Sequence, residues 1–248
     1  THFFKDITCN LSNYDDFLKH NNLFHAHTNA HISFILEGSY IESRKNKIYN
    51  RQAGDVFFCK SYEFHKFEVN KKFKNLNIEI TNNFFNENNI EENRIENRLK
   101  NSKAKSNILK ILFELQHIDN NIETSISLLL LDILGPKIQK INAVKPKWIC
   151  TLEELISEKW NEKIELKEIS DNLGIHPVTI SKYFPKYFGY TFGAYLRQIK
   201  INKSIDLLKN TSLSITDITY QCGFSDQSHF IRTFKALNGF TPKQFRDY

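Results

Sequence analysis

The chain has 248 residues, 40% of them hydrophobic and 25% charged, with a formal net charge of +6. That length supports one or two domains with a real core, and the composition excludes a disordered polymer. The longest aliphatic run, Leu128 to Leu131, is far short of the roughly 20 apolar residues that a membrane span needs. No charged-then-apolar leader opens the chain, and an initial Thr suggests that the native start lies upstream. Cys9, Cys59, Cys150 and Cys222 are scattered, with no Cys-x-x-Cys pair. They point to buried thiols in a reducing cytoplasm rather than to disulfides or a cysteine zinc site.

Residues 1–82 are rich in aromatic and β-branched residues, with turn signals at 37–39, 44–47 and 52–54, the pattern of short strands in an all-β unit. Within it, FHAHTNAHISFILEG spaces His25, His27 and His31 evenly, so on an extended strand they share one face. His65 ends GDVFFCKSYEFH, eleven residues after Gly54. NNFFNENNIEENRIENRLKNSK is polar and reads as a linker into a helix. Helical periodicity follows in Ile108, Leu109, Leu112, Phe113 and Leu115, and again from Ile126 to Ile133, where Gly135 and Pro136 stop it. These stripes are too broad for an exposed surface. A second linker, KINAVKPK, precedes an all-helical region. There Thr151 predicts an N-cap, with Glu154 completing a capping box and Cys150 stapled to Leu155. Further helices are predicted over 166–173, 177–187, 192–208, 215–221, 226–237 and 242–246, the last opened by a Thr241/Gln244 capping box around Pro242.

Charge is divided unevenly along this region. Residues 148–171 hold three Lys against seven Asp and Glu, or −4, whereas 172–248 hold ten Lys and Arg against four Asp, or +6. A gathered positive patch is an electrostatic footprint for phosphate. Within it, Ile215 and Ile218 give a short apolar stripe, Gly223 a turn that tolerates positive φ, and Phe224 a corner that Ser225 can cap. Phe230, Phe234 and Leu237 then point inward, leaving Gln227, Ser228 and Arg232 on the polar side. That is a helix-turn-helix whose second helix can enter a major groove. A looser copy lies about 49 residues upstream, with Leu166, Ile169 and Leu173, a Gly174 turn, and Pro177 opening the next helix. There Ile180 and Phe184 face in, while Val178, Ser181 and Lys182 face out.

Residues 148–248 resemble the DNA-binding domain of the AraC/XylS family of bacterial transcription regulators. The second motif carries the resemblance in Ile215, Ile218, Gly223, Phe224, Phe230, Phe234, Lys235, Gly239, Thr241, Pro242, Phe245 and Arg246. Thr219 and Ser170 stand where the family has a small Ala. Pro185 replaces a usual Lys, so the first recognition helix is expected to kink or end early. The resemblance implies double-stranded DNA as partner. Val178, Thr179, Ser181 and Lys182 would meet one groove and Gln227, Ser228 and Arg232 the next, with His229 either packing beneath them or contacting a base, while Lys186 and Lys235 hold phosphates.

The N-terminal histidines resemble the first cupin motif, with His31 in the glutamate position, and 54–65 resembles the second. The fold class implied is α+β and multidomain, with a cupin-like sensor barrel (1–82), a helical dimerisation segment (83–140), a linker (141–147) and an all-α double helix-turn-helix domain (148–248). The family resemblance further implies a cytoplasmic homodimer that activates transcription through RNA polymerase. Leu112, Leu128, Leu129 and Leu131 would stand at the dimer face unless these helices only cover the barrel, and an effector in the barrel would act through the dimer or the linker. His25, His27, His31 and His65 could bind zinc or another divalent transition metal, line a small organic-effector site, or be inert structure. Phe34, Phe57, Phe58, Phe64 and Phe67 are candidate pocket residues. Two rival readings remain, a metal-dependent cupin enzyme fused to a helical domain and a constitutive DNA-binding protein with a dead sensor.

Overall fold

The computed structural model describes residues 1–14, 23–45, 47–69, 72–100, 103–135 and 146–248. Most of the expected linker at 141–147 therefore lies outside the described residues. Eight strands run β1 (His2–Phe3), β2 (Ile7–Tyr14), β3 (Ala30–Glu37), β4 (Ser39–Arg44), β5 (Lys47–Gln52), β6 (Val56–Cys59), β7 (His65–Val69) and β8 (Phe73–Ile80). They form two antiparallel sheets ordered β1-β2-β8-β3-β6 and β5-β4-β7. Alternation along β3 and β8 decides what each face does. Ile32, Phe34, Leu36, Leu76, Ile78 and Ile80 face the helices, whereas His31, Ser33, Phe73, Asn75 and Asn77 face the barrel interior. Burial on both faces leaves only Glu37 of β3 exposed.

The polar stretch after β8 is not a linker. It folds as α1 (Asn82–Glu87), a 3-10 turn and α2 (Ile95–Leu99). Thr81 caps α1 by accepting from the Phe84 N–H, and Phe84, Phe85, Ile90 and Ile95 are buried. Four apolar anchors suffice because the Asn and Glu between them face water. Next come α3 (Lys103–Glu114) and α4 (Ile122–Leu134), which Gly135 ends. Leu112 was expected at a dimer face, yet it is 1% exposed inside the core, where no partner can reach it. Leu129 and Leu131 pack against the same core, and only Leu128, 61% exposed, faces solvent.

The C-terminal helices are α5 (Lys147–Glu158), α6 (Leu166–Leu173), α7 (Pro177–Phe188), α8 (Phe192–Asn210), α9 (Ile215–Gln221), α10 (Gln227–Asn238) and α11 (Pro242–Asp247). Here α5 starts a turn before the expected Thr151 cap, with Pro146 at the N-cap, because burying Ile149 and Leu152 together needs helix through both. Thr151 is interior, its hydroxyl donating to the Lys147 carbonyl at 3.3 Å.

Two cores meet on α8. Its first half (Phe192, Tyr195, Leu196 and Ile199) packs with α5, α6 and α7. Its second half (Ile201, Ile205 and Leu208) joins a core that runs from the barrel sheet through α2, α3 and α4 into α9, α10 and α11. The second helix-turn-helix is thus seated on the barrel side. Gln198 Nε2 donates to Ser106 Oγ at 2.7 Å, Lys105 pairs with Asp206, and Phe113 meets Phe240 edge-on at 5.3 Å. Asn210 Nδ2 donates to the Ala53 carbonyl and Lys74 Nζ to the Tyr248 carbonyl, both at 2.7 Å.

Candidate nucleic-acid interface and barrel cavity

The second helix-turn-helix is built by local chemistry. Ser214 and Asp217 form a reciprocal capping box on α9. Ile218 and Thr219 are fully buried, and the Thr219 hydroxyl discharges its hydrogen bond onto the Ile215 carbonyl at 2.7 Å, which is how a polar residue is accommodated there. Gly223 turns the chain at φ +69°. The cap of α10 is Asp226, not the expected Ser225; its carboxylate accepts from the His229 N–H at 2.7 Å. That bond, formed with the charged acid, holds the Asp226 pKa below the usual carboxylate range. Phe230 and Phe234 are fully buried, while Gln227, Ser228, His229, Arg232 and Lys235 are exposed along α10. Gln227 Oε1 accepts from Thr216 at 3.1 Å, and His229 lies edge-on to Phe224 at 5.4 Å.

In the first motif Gly174 turns the chain at φ +63°, His176 caps α7 by accepting from Val178 N–H, and Pro177 occupies the first turn. Ile180 and Phe184 are fully buried. Val178 (65% exposed), Ser181, Lys182 and Lys186 face solvent, with Thr179 half-buried. Pro185 neither ends nor shortens α7, which runs on to Phe188 and is closed by Gly189. The stacked Phe184 and Phe188 rings, 4.1 Å apart, tie the two sides of the proline to one core. Sequence reading missed Lys200. Its ammonium donates to the carbonyls of Gly223 (2.7 Å) and Glu162 (3.3 Å), bolting the second turn to the loop between α5 and α6. No sequence spacing marks Lys200, because its 9% exposure and its contact with Gly223, 23 residues away, are products of the fold.

In the barrel, a cavity of about 160 Å³ is lined by all four predicted histidines together with Tyr40, Glu42, Cys59, Asn75 and others. Only Phe57 and Phe67 of the five predicted aromatics line it; Phe34 and Phe58 belong to the helix-facing core and Phe64 is 61% exposed. The histidines do not share one strand. His25 bridges His65 outside the named strands, and His31 lies on β3. The rings nevertheless converge, with centroids 4.5 Å apart for His25 and His65 and 4.8 Å for His27 and His31. Ligand nitrogens of His25, His27 and His65 lie within 4.8 Å of one another. His25 Nδ1 faces the Leu23 carbonyl at 3.2 Å and His65 Nδ1 the Glu63 carbonyl at 3.0 Å. A carbonyl only accepts, so each Nδ1 carries the proton and each Nε2 keeps its lone pair. Burial lowers the pKa of His27 and His65, and burial with the neighbouring imidazoles pushes His31 down to about 3. His31 Nδ1 is buried without a hydrogen-bond partner. Imidazoles that aim ring nitrogens at one point, with His25 and His65 oriented by carbonyls, are the donor set a transition metal takes. A zinc ion at about 2.0–2.1 Å from each nitrogen would draw them somewhat closer together.

Beneath the histidines, Arg44 donates to Glu42 (2.7 Å), the Phe58 carbonyl (2.6 Å) and Cys59 Sγ (2.8 Å), and Arg51 pairs with Glu42 at 2.8 Å. The buried charges on the cavity floor are therefore paired.

The geometry defines a double helix-turn-helix protein with a β-barrel attached. Residues 169–248 match a helix-turn-helix domain family. The transcriptional activator AggR of Escherichia coli is 36% identical over 98 residues, 40% of this chain and 35% of AggR. The C-terminal domain of the two-component response regulator yesN from Fusobacterium nucleatum is 32% identical, covering 41% of this chain and 99% of that domain, with a TM-score of 0.39. ToxT from Vibrio cholerae is similar over 98% of both chains, at 17% identity and a TM-score of 0.40. Matches span about a third to a half of the length of the first curated relatives. Residues 169–248 thus carry an AraC-type helix-turn-helix domain.

Proposed function

We propose that the protein is a sequence-specific DNA-binding transcription regulator and an activator acting through RNA polymerase. One observation carries this. Two helices, α7 and α10, each the second of a helix-turn-helix, expose polar side chains and are fixed to one connecting helix, α8. Val178, Ser181 and Lys182 would read one major groove and Gln227, Ser228 and Arg232 the next, with Thr179 and His229 beside them and Lys186 and Lys235 on phosphates. Residues 148–248 act as the DNA-binding domain, 1–82 as the sensor barrel and 83–140 as a helical segment whose exposed Leu128 marks a homodimer contact. The barrel cavity takes a small effector or a divalent transition metal held by His25, His27 and His65, with His31 beside them.

Support comes from the exposed polar faces, the activators among the relatives and the converging imidazole cluster. The test is selection of bound duplexes from a randomised library, followed by salt-dependent binding of the enriched sequence. Enrichment of no sequence would refute specific recognition. The histidines also suit a metal-dependent cupin enzyme. Turnover with added Fe²⁺ or Mn²⁺ that is lost in His65→Ala would favour that reading.

A further inference from the structure

Between α8 and α10 a cleft of about 340 Å³ opens, lined by Tyr190, Ala194 and Arg197 on one side and Arg232, Thr233 and Leu237 on the other. Arg232 belongs to the exposed face of α10, so the cleft continues the surface that the proposed function turns toward DNA. Three of the four cations on α8 are already occupied. Lys200 holds the Gly223 and Glu162 carbonyls, Lys203 lies 5.7 Å from the Trp160 ring centroid, and Lys209 donates to the Arg246 carbonyl at 3.4 Å. Arg197 is different. It is exposed, and among the described residues no carboxylate lies within ion-pair distance of it or of Arg232. Two guanidinium groups outside ion-pair distance of any carboxylate, though Asp226 acts on Arg232 at longer range, line one cleft with Ala194 and Leu237 and invite an anion.

Geometry selects the anion. Recognition helices in successive major grooves sit about 34 Å apart, and the 19-residue α8 spans about 28 Å of that interval. What crosses the interval is the sugar-phosphate backbone beside the intervening minor groove. We propose that Arg197 is a phosphate anchor: its guanidinium, at the mouth of the α8–α10 cleft, takes a backbone phosphate of duplex DNA beside the base contact of Arg232. The assignment rests on the DNA-binding reading. Phosphate contacts fix register and carry no sequence information, so Arg197 sets affinity while Arg232 sets specificity.

The test uses the full chain and two duplexes of about 30 base pairs, roughly three helical turns: one enriched from a random library by the wild-type protein, one scrambled. Binding is measured by fluorescence anisotropy from low to high salt. Arg197→Ala is expected to lower the slope of log K against log salt by about 1, which is about tenfold in affinity near 0.1 M relative to 1 M. The loss should be equal on both duplexes, and Arg197→Lys should keep the slope. Circular dichroism confirms that both variants fold; Arg197 is exposed, so folding is expected. A wild-type slope and affinity in Arg197→Ala overturn the anchor alone. A loss confined to the enriched duplex overturns it too, as does an Arg197→Lys slope as low as that of Ala. Absence of salt-dependent binding by the wild type overturns the DNA-binding reading itself.

Discussion

The two turn glycines have nearly the same backbone and very different surroundings, which makes a controlled pair. Gly223 sits at φ +69° and Gly174 at φ +63°. Any residue with a Cβ pays about 1–2 kcal/mol for that left-handed conformation. At Gly174 nothing lies within 4 Å of an added Cβ, so Gly174→Ala should cost about that much and no more. At Gly223 the Cβ would land on the Asn161 carbonyl, and Lys200 Nζ lies only 2.9 Å from it. The loop must shift, which loosens the two hydrogen bonds that Lys200 makes there. A hydrogen bond to a charged donor is worth about 1.5–3 kcal/mol, so Gly223→Ala should cost about 3–5 kcal/mol in all. Urea unfolding followed by tryptophan fluorescence can read each site separately. The chain has two Trp, with Trp148 packed on the smaller core and Trp160 on the larger. Trp160→Phe therefore leaves a reporter for Gly174→Ala, and Trp148→Phe one for Gly223→Ala. Equal losses at the two glycines, or a loss at Gly223 near 1 kcal/mol, would refute the packing described for the second turn.

Arg232→Ala should cost about 1–3 kcal/mol on the enriched duplex and relax preference at one base pair, read by competition with single-base variants; an equal loss on every sequence would make Arg232 a phosphate contact. Cys150 is exposed while Cys9, Cys59 and Cys222 are buried, with burial pushing Cys9 and Cys222 up to about 12 and Cys59 higher than its ordinary value. An aromatic disulfide reagent should therefore label one thiol quickly in native protein and the rest only in denaturant. Two fast thiols would contradict the core. Cobalt titration should give a ligand-field spectrum that His65→Ala abolishes. Because folding lowers the His27 and His65 pKa values, protons compete for those two lone pairs only below the ordinary value of about 6.5. Affinity should thus hold from neutral pH down past that value and then fall, and a loss beginning above 7 would refute the neutral-imidazole site.

What the sequence made legible was local. The turn glycines, the Thr241/Gln244 capping box and the inward Phe230 and Phe234 each depend on neighbours within a few residues, and their spacing displays that. Cap identity failed where two good caps adjoin: Ser225 and Asp226 both suit the position, and only the backbone geometry puts Asp226 there. Pro185 misled because a proline's cost is intrinsic, while the stacked Phe184 and Phe188 that carry the helix past it are tertiary. Residues 83–100 read as linker because four buried apolar side chains are sparse among Asn and Glu. His25, His27 and His31 were expected to share one strand, yet of these only His31 lies on a named strand, and the His25–His65 bridge is a long-range pairing that spacing cannot encode.

Any coupling between the barrel cavity and the C-terminal heads would not have to pass through the linker, because α8 joins the two heads. Its apolar residues serve two cores on different faces, so it shows no single stripe, yet both heads are fixed to it. The first head rests on its own core. The second shares one with the barrel sheet, and β8 links them directly: Asn75 and Asn77 line the cavity while Leu76 and Ile78 between and beside them lie in that shared core. Lys74, next on the same strand, holds the chain-terminal Tyr248 carbonyl. A ligand that moves β8 must therefore repack the seat of the second head or leave it. It can change DNA binding only to the extent that it favours one of those arrangements over the other. On this geometry the barrel would shift the second recognition helix relative to the first about α8, and the spacing between the two half-contacts on DNA is the quantity an effector would alter.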